Sequence, residues 1–201
     1  RADIDADTHQ AALSATFDSG PAYRFGPLRL QGMERYDAEG IKNIARLPTG
    51  AEYDETKLLD AQQRLASSGY FDAVFLTLDP DAEQPGAAPV TAQVREAPLQ
   101  KAVFGIGVST DSGLRLSLDH THNRLPWLGW RALSKLSFDN KAKRIGTEWT
   151  ALPDANGWRW VAGAQLQRET TGDYEVNGTR FRFGRSQSTD HIDRNYALQY
   201  D

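Results

Sequence analysis

The sequence lacks cysteine and any long apolar run. The absence of cysteine excludes a disulfide framework and a thiolate metal site, but it leaves an oxidising compartment open. No segment approaches the roughly 20 consecutive apolar residues that a membrane-spanning helix requires. The net charge of −4 gives no indication of a nucleic-acid-binding surface. Because the chain starts at Arg1 without an initiator methionine or a signal sequence, we expect it to be an internal piece of a longer protein.

Motifs of catalytic and cofactor-binding sites are also absent. No serine lies in a Gly-x-Ser-x-Gly sequence, and Gly105-Ile-Gly107 lacks the third glycine of a dinucleotide-binding loop. His120 and His122 share one face of a predicted strand and would form half of a metal site, but no further ligand lies at an identifiable spacing. A surface pair is the simpler interpretation of these histidines. We therefore predict no enzyme activity, no cofactor and no bound metal.

The two halves of the sequence differ in charge and in aromatic content. Residues 1–100 carry a net charge of −7, and residues 101–201 carry +3. All five tryptophans lie in the second half. This asymmetry predicts an acidic soluble part followed by an aromatic-rich β part.

Residues 101–121 carry the most informative pattern. Two segments alternate apolar residues with glycine, small or charged residues, and the sequence Thr110-Asp111-Ser112-Gly113 predicts a turn between them. A period of two is typical of β-strands, because successive side chains point to opposite faces. The second face carries charge and glycine rather than another core. Such a sheet, with an apolar outer face and a wet interior, is typical of outer-membrane barrels.

The same alternation predicts five further strands, at 129–139, 144–152, 157–168, 178–186 and 192–200. Seven outward residues are predicted to contact lipid: Leu114, Leu116, Leu118, Trp158, Trp160, Phe181 and Phe183. Six inward basic residues would either give a pore an anion preference or simply line a wet lumen: Arg115, Arg131, Lys135, Arg159, Arg180 and Arg182.

The sequence of the first half predicts a small α+β unit. Asp37 and Asp54 are predicted to cap two helices, the second of which ends at Gly69. Leu58, Leu59 and Leu65 fall on the predicted apolar stripe of that second helix. Strands are predicted at 22–32, 70–79 and 90–96, which gives the order β-α-α-β-β.

This unit resembles a POTRA domain, the polypeptide-transport-associated module. The resemblance rests on Phe25-Gly26, on Leu65 and above all on Gly69-Tyr70-Phe71 at the helix-to-strand junction. Together with the following sequence GIGVSTDSGLR, the chain resembles the TamA-like outer-membrane assembly factors, in the superfamily that includes BamA and the two-partner secretion transporters. We expect residues 1–20 to be the closing hairpin of a preceding POTRA domain, 21–99 a POTRA domain, and 100–201 the first part of an outer-membrane β-barrel.

The resemblance implies a function in the outer membrane of a Gram-negative bacterium, with the POTRA part in the periplasm. It implies insertion or secretion of unfolded outer-membrane or autotransporter polypeptides, contact with outer-membrane lipid, and an inner-membrane-anchored partner of the TamB type, but no nucleic acid. The implied strand-addition edge and its motif comprise Gly69, Tyr70, Phe71, Val74 and Leu76. The implied lateral-gate strand comprises Phe104, Gly105, Ile106, Gly107 and Val108.

Two other functions remain open at this stage. One is a secretion pore that threads substrate through the lumen, and the other is a periplasmic binding module without a transport role. The resemblance also implies a sixteen-stranded barrel, whereas the sequence predicts about seven strands and lacks the family's Arg-Gly-Phe/Tyr motif. We therefore expect an incomplete barrel.

Overall fold

The described part of the chain folds into two α-helices and three separate sheets. A computed structural model describes residues 2–5, 10–13, 15, 22–79, 85–171, 174–189 and 192–201. The first half contains β1 (Ala2–Asp5), β2 (Gln10–Leu13), β3 (Phe25–Gln31), α1 (Ala38–Ala45), α2 (Glu55–Ser67), β4 (Phe71–Leu78) and β5 (Ala88–Glu96). The second half contains β6 (Gln100–Ser109), β7 (Gly113–His122), β8 (Arg131–Phe138), β9 (Ala142–Thr150), β10 (Trp158–Thr171), β11 (Tyr174–Ser188) and β12 (Asp193–Tyr200).

Both predicted helix caps are confirmed. The Asp37 carboxylate accepts a hydrogen bond from the Gly40 backbone N–H, and the Asp54 carboxylate accepts one from Thr56. These bonds satisfy backbone donors that have no partner within the first helical turn. The helix α1 ends at Ala45, because Arg46 adopts a left-handed conformation with φ 50°.

The helices cover one face of a three-stranded sheet in the order β3-β5-β4. The central strand β5 runs parallel to β3 and antiparallel to β4, so the observed β-α-α-β-β order agrees with the predicted one. The largest fully buried side chains of this unit are those of Phe25, Ile41, Leu65 and Val90.

One sequence-based assignment within this unit is wrong, and one strand departs from simple alternation. Leu59 is 52% exposed, and Ala61 rather than Leu59 packs into the core. Strict alternation along β4 puts Phe71 and Leu76 on opposite faces, but both side chains are buried. A register shift between Phe71 and Ala73 reverses the alternation at the start of the strand, as a β-bulge does.

The strands β6 to β12 form one antiparallel meander in which each strand pairs with its sequence neighbours. The two end strands β6 and β12 do not pair with each other, so the sheet is open, in agreement with the expected incomplete barrel. The predicted strands 157–168 and 178–186 are too short, because β10 continues to Thr171 and β11 begins at Tyr174. Within the described residues, neither helix has the length and apolar composition needed to cross a membrane.

Gly69 has the left-handed conformation that the sequence predicts for the end of α2, with φ 78°. We expect Gly69→Val to lower the free energy of unfolding of the α+β unit by about 1 kcal/mol or more, because a β-branched side chain resists positive φ. Chemical denaturation followed by circular dichroism measures the change. Gly86→Val is the matched control, since Gly86 has no neighbouring atom within 4 Å and no positive φ. An unchanged midpoint for Gly69→Val would contradict this account.

Candidate functional site

The strand β4 lies at an edge of its sheet, with only β5 beside it. The Asp79 N–H donates to the Pro89 carbonyl at 2.9 Å, which identifies the odd-numbered residues of β4 as those bonded to β5. In an antiparallel pair the intervening residues direct their backbone groups away from the partner. Val74, Leu76 and Leu78 therefore present their N–H and C=O groups to the open edge. Two of them, Val74 and Leu76, are in the sequence-predicted strand-addition set.

One donor on this open edge has an internal partner. The Leu76 N–H donates to the side-chain carbonyl of Gln62 on α2, at 2.9 Å. This bond satisfies a backbone group that would otherwise be exposed at the sheet edge. Nothing in the sequence pattern indicates it, because Gln62 and Leu76 are joined only once the helix packs on the sheet.

The other three members of the predicted set, Gly69, Tyr70 and Phe71, lie at the start of β4. Tyr70 is 5% exposed, and the Arg131 guanidinium lies over its ring at 6.0 Å from the centroid. Burial raises the pKa of the Tyr70 phenol to about 12, although the positive charge of Arg131 lowers it in part. The phenol therefore stays protonated at neutral pH.

Arg131, the first residue of β8, links the α+β unit to the large sheet. Its guanidinium donates to the Ser68 carbonyl at 3.2 Å and to the Asn123 side-chain oxygen at 3.1 Å. Asn123 in turn donates to the Pro98 carbonyl at 2.8 Å. Ser68 is the C-cap residue of α2, where the helix dipole favours a cation. A single arginine therefore joins the end of α2 to the β7–β8 connection.

The helix α1 contacts two further connections at the same end of the large sheet. Asn43 donates to the Pro153 carbonyl at 3.0 Å, and Arg46 donates to the Ser188 carbonyl. Gly40 approaches Leu152 so closely that a Cβ atom there would lie 2.8 Å from the leucine side chain. The α+β unit therefore rests on one end of the sheet through three connections, β7–β8, β9–β10 and β11–β12.

The strand register puts all seven predicted lipid-facing residues on one face of the large sheet. Leu114, Leu116 and Leu118 stand opposite Val108, Ile106 and Phe104. Phe181 and Phe183 stand opposite Ala164 and Ala162, and continue across to Tyr200 and Leu198. The Trp160 ring stacks on Phe183 at 5.2 Å, and the Trp158 ring on Tyr196 at 5.5 Å. We call this face the outer face.

The opposite, inner face carries glycine, hydroxyl and charged side chains. Gly105 and Gly107 stand opposite Ser117 and Arg115. The inward arginines Arg159, Arg180 and Arg182 stand opposite Ser186, Gln165 and Gly163. His120 and His122 instead lie on the outer face, in line with Leu118; their ring centroids are 6.5 Å apart, and the described residues hold no group of three potential metal ligands.

The predicted gate strand β6 lies at one exposed edge of the large sheet. The Asn123 N–H donates to the Leu99 carbonyl at 2.8 Å, which identifies the odd-numbered residues of β6 as those bonded to β7. The backbone groups that β6 offers to a further strand therefore belong to Phe104, Ile106 and Val108. Gly105 and Gly107 bond inwards to β7.

Comparisons with known proteins identify the fold. Residues 23–97 match the POTRA family model, described as a surface antigen variable number repeat. BamA from Haemophilus ducreyi lacking POTRA domains 1–3 is similar to 92% of this chain and 36% of the BamA chain, with a TM-score of 0.63 and 16% identity. CdiB from Escherichia coli aligns with 92% of this chain and 54% of its own, with a TM-score of 0.30 and 10% identity.

Residues 23–97 are thus a POTRA domain, and the antiparallel sheet that follows has the fold of the BamA barrel. The predicted fold class is confirmed. The chain spans about a third of the BamA chain that it matches. The exact domain boundaries at residues 20 and 99 stay predictions.

The Gln62 bond predicts a measurable property of the β4 edge. We expect Gln62→Ala to speed hydrogen exchange of the Leu76 amide by about 2- to 10-fold, since one hydrogen bond contributes a net 0.5–1.5 kcal/mol. Residue-resolved exchange by NMR measures the rate, and Gln63→Ala, on an exposed site of the same helix, is the control. Equal exchange rates of the Leu76 amide in the unmodified protein, Gln62→Ala and Gln63→Ala would show that Gln62 does not bond to this N–H.

Proposed function

We propose that the chain belongs to an outer-membrane assembly and translocation factor of the TamA-like type. It inserts or secretes unfolded outer-membrane or autotransporter polypeptides. One observation carries the proposal: a POTRA domain with an open edge strand rests on the end of a two-faced antiparallel sheet. An edge strand can receive an unfolded chain, and a two-faced sheet can occupy a membrane.

The POTRA domain receives substrate by strand addition at β4. The outward N–H and C=O groups of Val74 and Leu78, together with the Leu76 carbonyl, form the receiving ladder, since the Leu76 N–H already donates to Gln62. Main-chain hydrogen bonds give affinity with little demand on sequence, which suits a protein that handles many unfolded chains. Of the predicted set, Gly69, Tyr70 and Phe71 hold the start of the strand, and Val74 and Leu76 supply backbone contacts.

The large sheet lies in the outer membrane with its outer face towards lipid. Eight residues separate Trp158 from Leu166 on that face of β10, a span of about 26 Å at 3.3 Å per residue. Because strands of outer-membrane barrels tilt by about 35–45°, this span covers about 19–22 Å along the membrane normal, which is most of the ~25 Å apolar band. Trp158 and Tyr196 lie at the POTRA end of the band, where interfacial aromatic residues are expected. The POTRA domain then lies in the periplasm, within reach of an inner-membrane-anchored partner of the TamB type.

The strand β6 acts as the lateral gate. It seals against the last strand of the complete barrel through Phe104, Ile106 and Val108, and opens sideways to pass substrate into the bilayer. Gly105 and Gly107 weaken the strand, because glycine has low β propensity and no side chain to pack.

A secretion pore is the second candidate function, supported by the charged inner face that carries Arg159, Arg180 and Arg182. In that case substrate threads through the lumen and β6 stays closed. A periplasmic binding module without a transport role is less favoured, because Phe104, Ile106, Val108 and Leu198 would leave a large apolar face in water.

A disulfide across the seam separates these functions. Cysteines at Ile106 and in the last barrel strand of the full-length protein should crosslink, block assembly of autotransporter substrate and leave the barrel folded, with recovery on reduction. Opening the seam must break a ladder of backbone hydrogen bonds, each worth a net ~0.5–1.5 kcal/mol. A covalent disulfide keeps the two strands together even when these hydrogen bonds break.

The control crosslink joins Ile106 to Leu116, which are cross-strand neighbours on β6 and β7 and need not separate. It should leave assembly unchanged. Normal assembly by the seam-locked protein would contradict lateral gating and favour threading through the lumen.

A further inference from the structure

A cavity of about 610 Å³ lies between the POTRA domain and the inner face of the large sheet. The POTRA side contributes residues near the ends of both helices, among them Arg46, Arg64 and Tyr70. The sheet side contributes Arg131, Arg159 and Arg182, together with Glu148. Five arginines therefore line one cavity at the mouth of the sheet, and Glu148 is the only carboxylate among its lining residues in the described part of the chain.

The three sheet arginines alone give the cavity a surplus of positive charge over Glu148. Arg131 donates to the neutral carbonyl of Ser68, and Arg159 donates to the Ser186 hydroxyl at 3.3 Å. Such partners orient a guanidinium but do not neutralise it. Arg182 stands opposite Gly163 and Gln199, neither of which carries a charge. The cavity is thus suited to an anion whose oxygens accept hydrogen bonds from guanidinium groups.

The remaining lining favours a peptide over a lipid. Hydroxyl and amide side chains such as Ser67, Thr150 and Asn195 supply much of the wall. Ile44 and Val161 are the only branched aliphatic side chains lining it among the described residues, so an acyl chain would find little apolar surface. The cavity also opens on the inner face, whereas most of the large apolar side chains of the sheet lie on the outer face.

The cavity adjoins the open edge strand of the POTRA domain. Tyr70 lines it and directly precedes Phe71, the first residue of β4. A chain added to β4 would therefore have one end directed towards the arginines. We propose that this cavity binds a carboxylate of the incoming polypeptide, either its C-terminal group or an acidic side chain. The inference rests on the proposed function, because it requires a polypeptide on β4.

Peptide binding to the full-length protein in lipid nanodiscs tests the inference. The probe is a fluorescent ten-residue Val/Thr peptide in three versions: a free C-terminal carboxylate, a C-terminal amide, and an amide with one internal glutamate. We expect at least one carboxylate version to bind on the order of tenfold more tightly than the neutral amide at low salt, as charge-assisted hydrogen bonds allow. The version that gains affinity identifies the source of the carboxylate.

Arg159→Gln combined with Arg182→Gln should abolish this preference and leave the affinity for the neutral amide unchanged, which also shows that the variant is folded. Lys135→Gln is the control, since it removes a positive charge on the same inner face outside the cavity. Its carboxylate preference should match that of the unmodified protein.

Three results would overturn the inference: equal affinity of all three peptides, a preference that survives in the double variant, or displacement of the peptide by phosphatidylglycerol vesicles at equal anion concentration. The last would assign the cavity to a lipid headgroup. Failure of every peptide to bind would instead contradict strand addition itself and remove the basis of the inference with it.

Discussion

The structure depends on one constraint, the register that keeps apolar and polar residues on separate faces across seven strands. Leu116 stands opposite both Ile106 and Phe138, so the outer face continues without a break from β6 through β8. Because side chains alternate with a period of two, a slip of one residue in any strand would exchange its two faces. Such a slip in β11 would bring Arg180 and Arg182 to the outer face and remove Phe181 and Phe183 from it.

The position of the POTRA domain distinguishes the two ends of this sheet. Among the described residues, hydrogen bonds of Arg131, Asn43 and Arg46 join the POTRA domain to one end of the sheet. The contact at Arg131 involves the C-terminal end of α2, directly before β4. The edge strand and the sheet are therefore held as neighbours. Under the proposed function, a chain received at β4 would reach the mouth of the sheet, beside both the arginine-lined cavity and the start of β6.

Local features of the fold were predictable from sequence because local chemistry determines them. Asp37 and Asp54 cap helices through their own following backbone, and Gly69 adopts the φ that few other residues tolerate. Period-two alternation also predicted the faces of the large sheet. The exceptions arise where tertiary contacts intervene: the bulge after Phe71 reverses the alternation, and packing of α2 selects Ala61 over Leu59.

The candidate site was predictable only in part. Sequence resemblance indicated Val74 and Leu76, but not that their backbone groups face an open edge, which follows from the pairing of β4 with β5. The bond from Leu76 to Gln62 and the contact of Arg131 with Ser68 join residues 14 and 63 positions apart. Neither pair shares a periodic pattern, so both emerge only from the packed structure.

The central claim is that the two faces of the large sheet meet lipid and water respectively. Spin labels on the neighbouring residues Leu116 and Ser117 of the full-length protein in liposomes test it most directly, since they differ in face but not in depth. The account predicts that the Leu116 label is relaxed mainly by oxygen dissolved in the bilayer, and the Ser117 label mainly by a water-soluble nickel complex. Equal accessibility of both labels to the nickel complex would contradict the account.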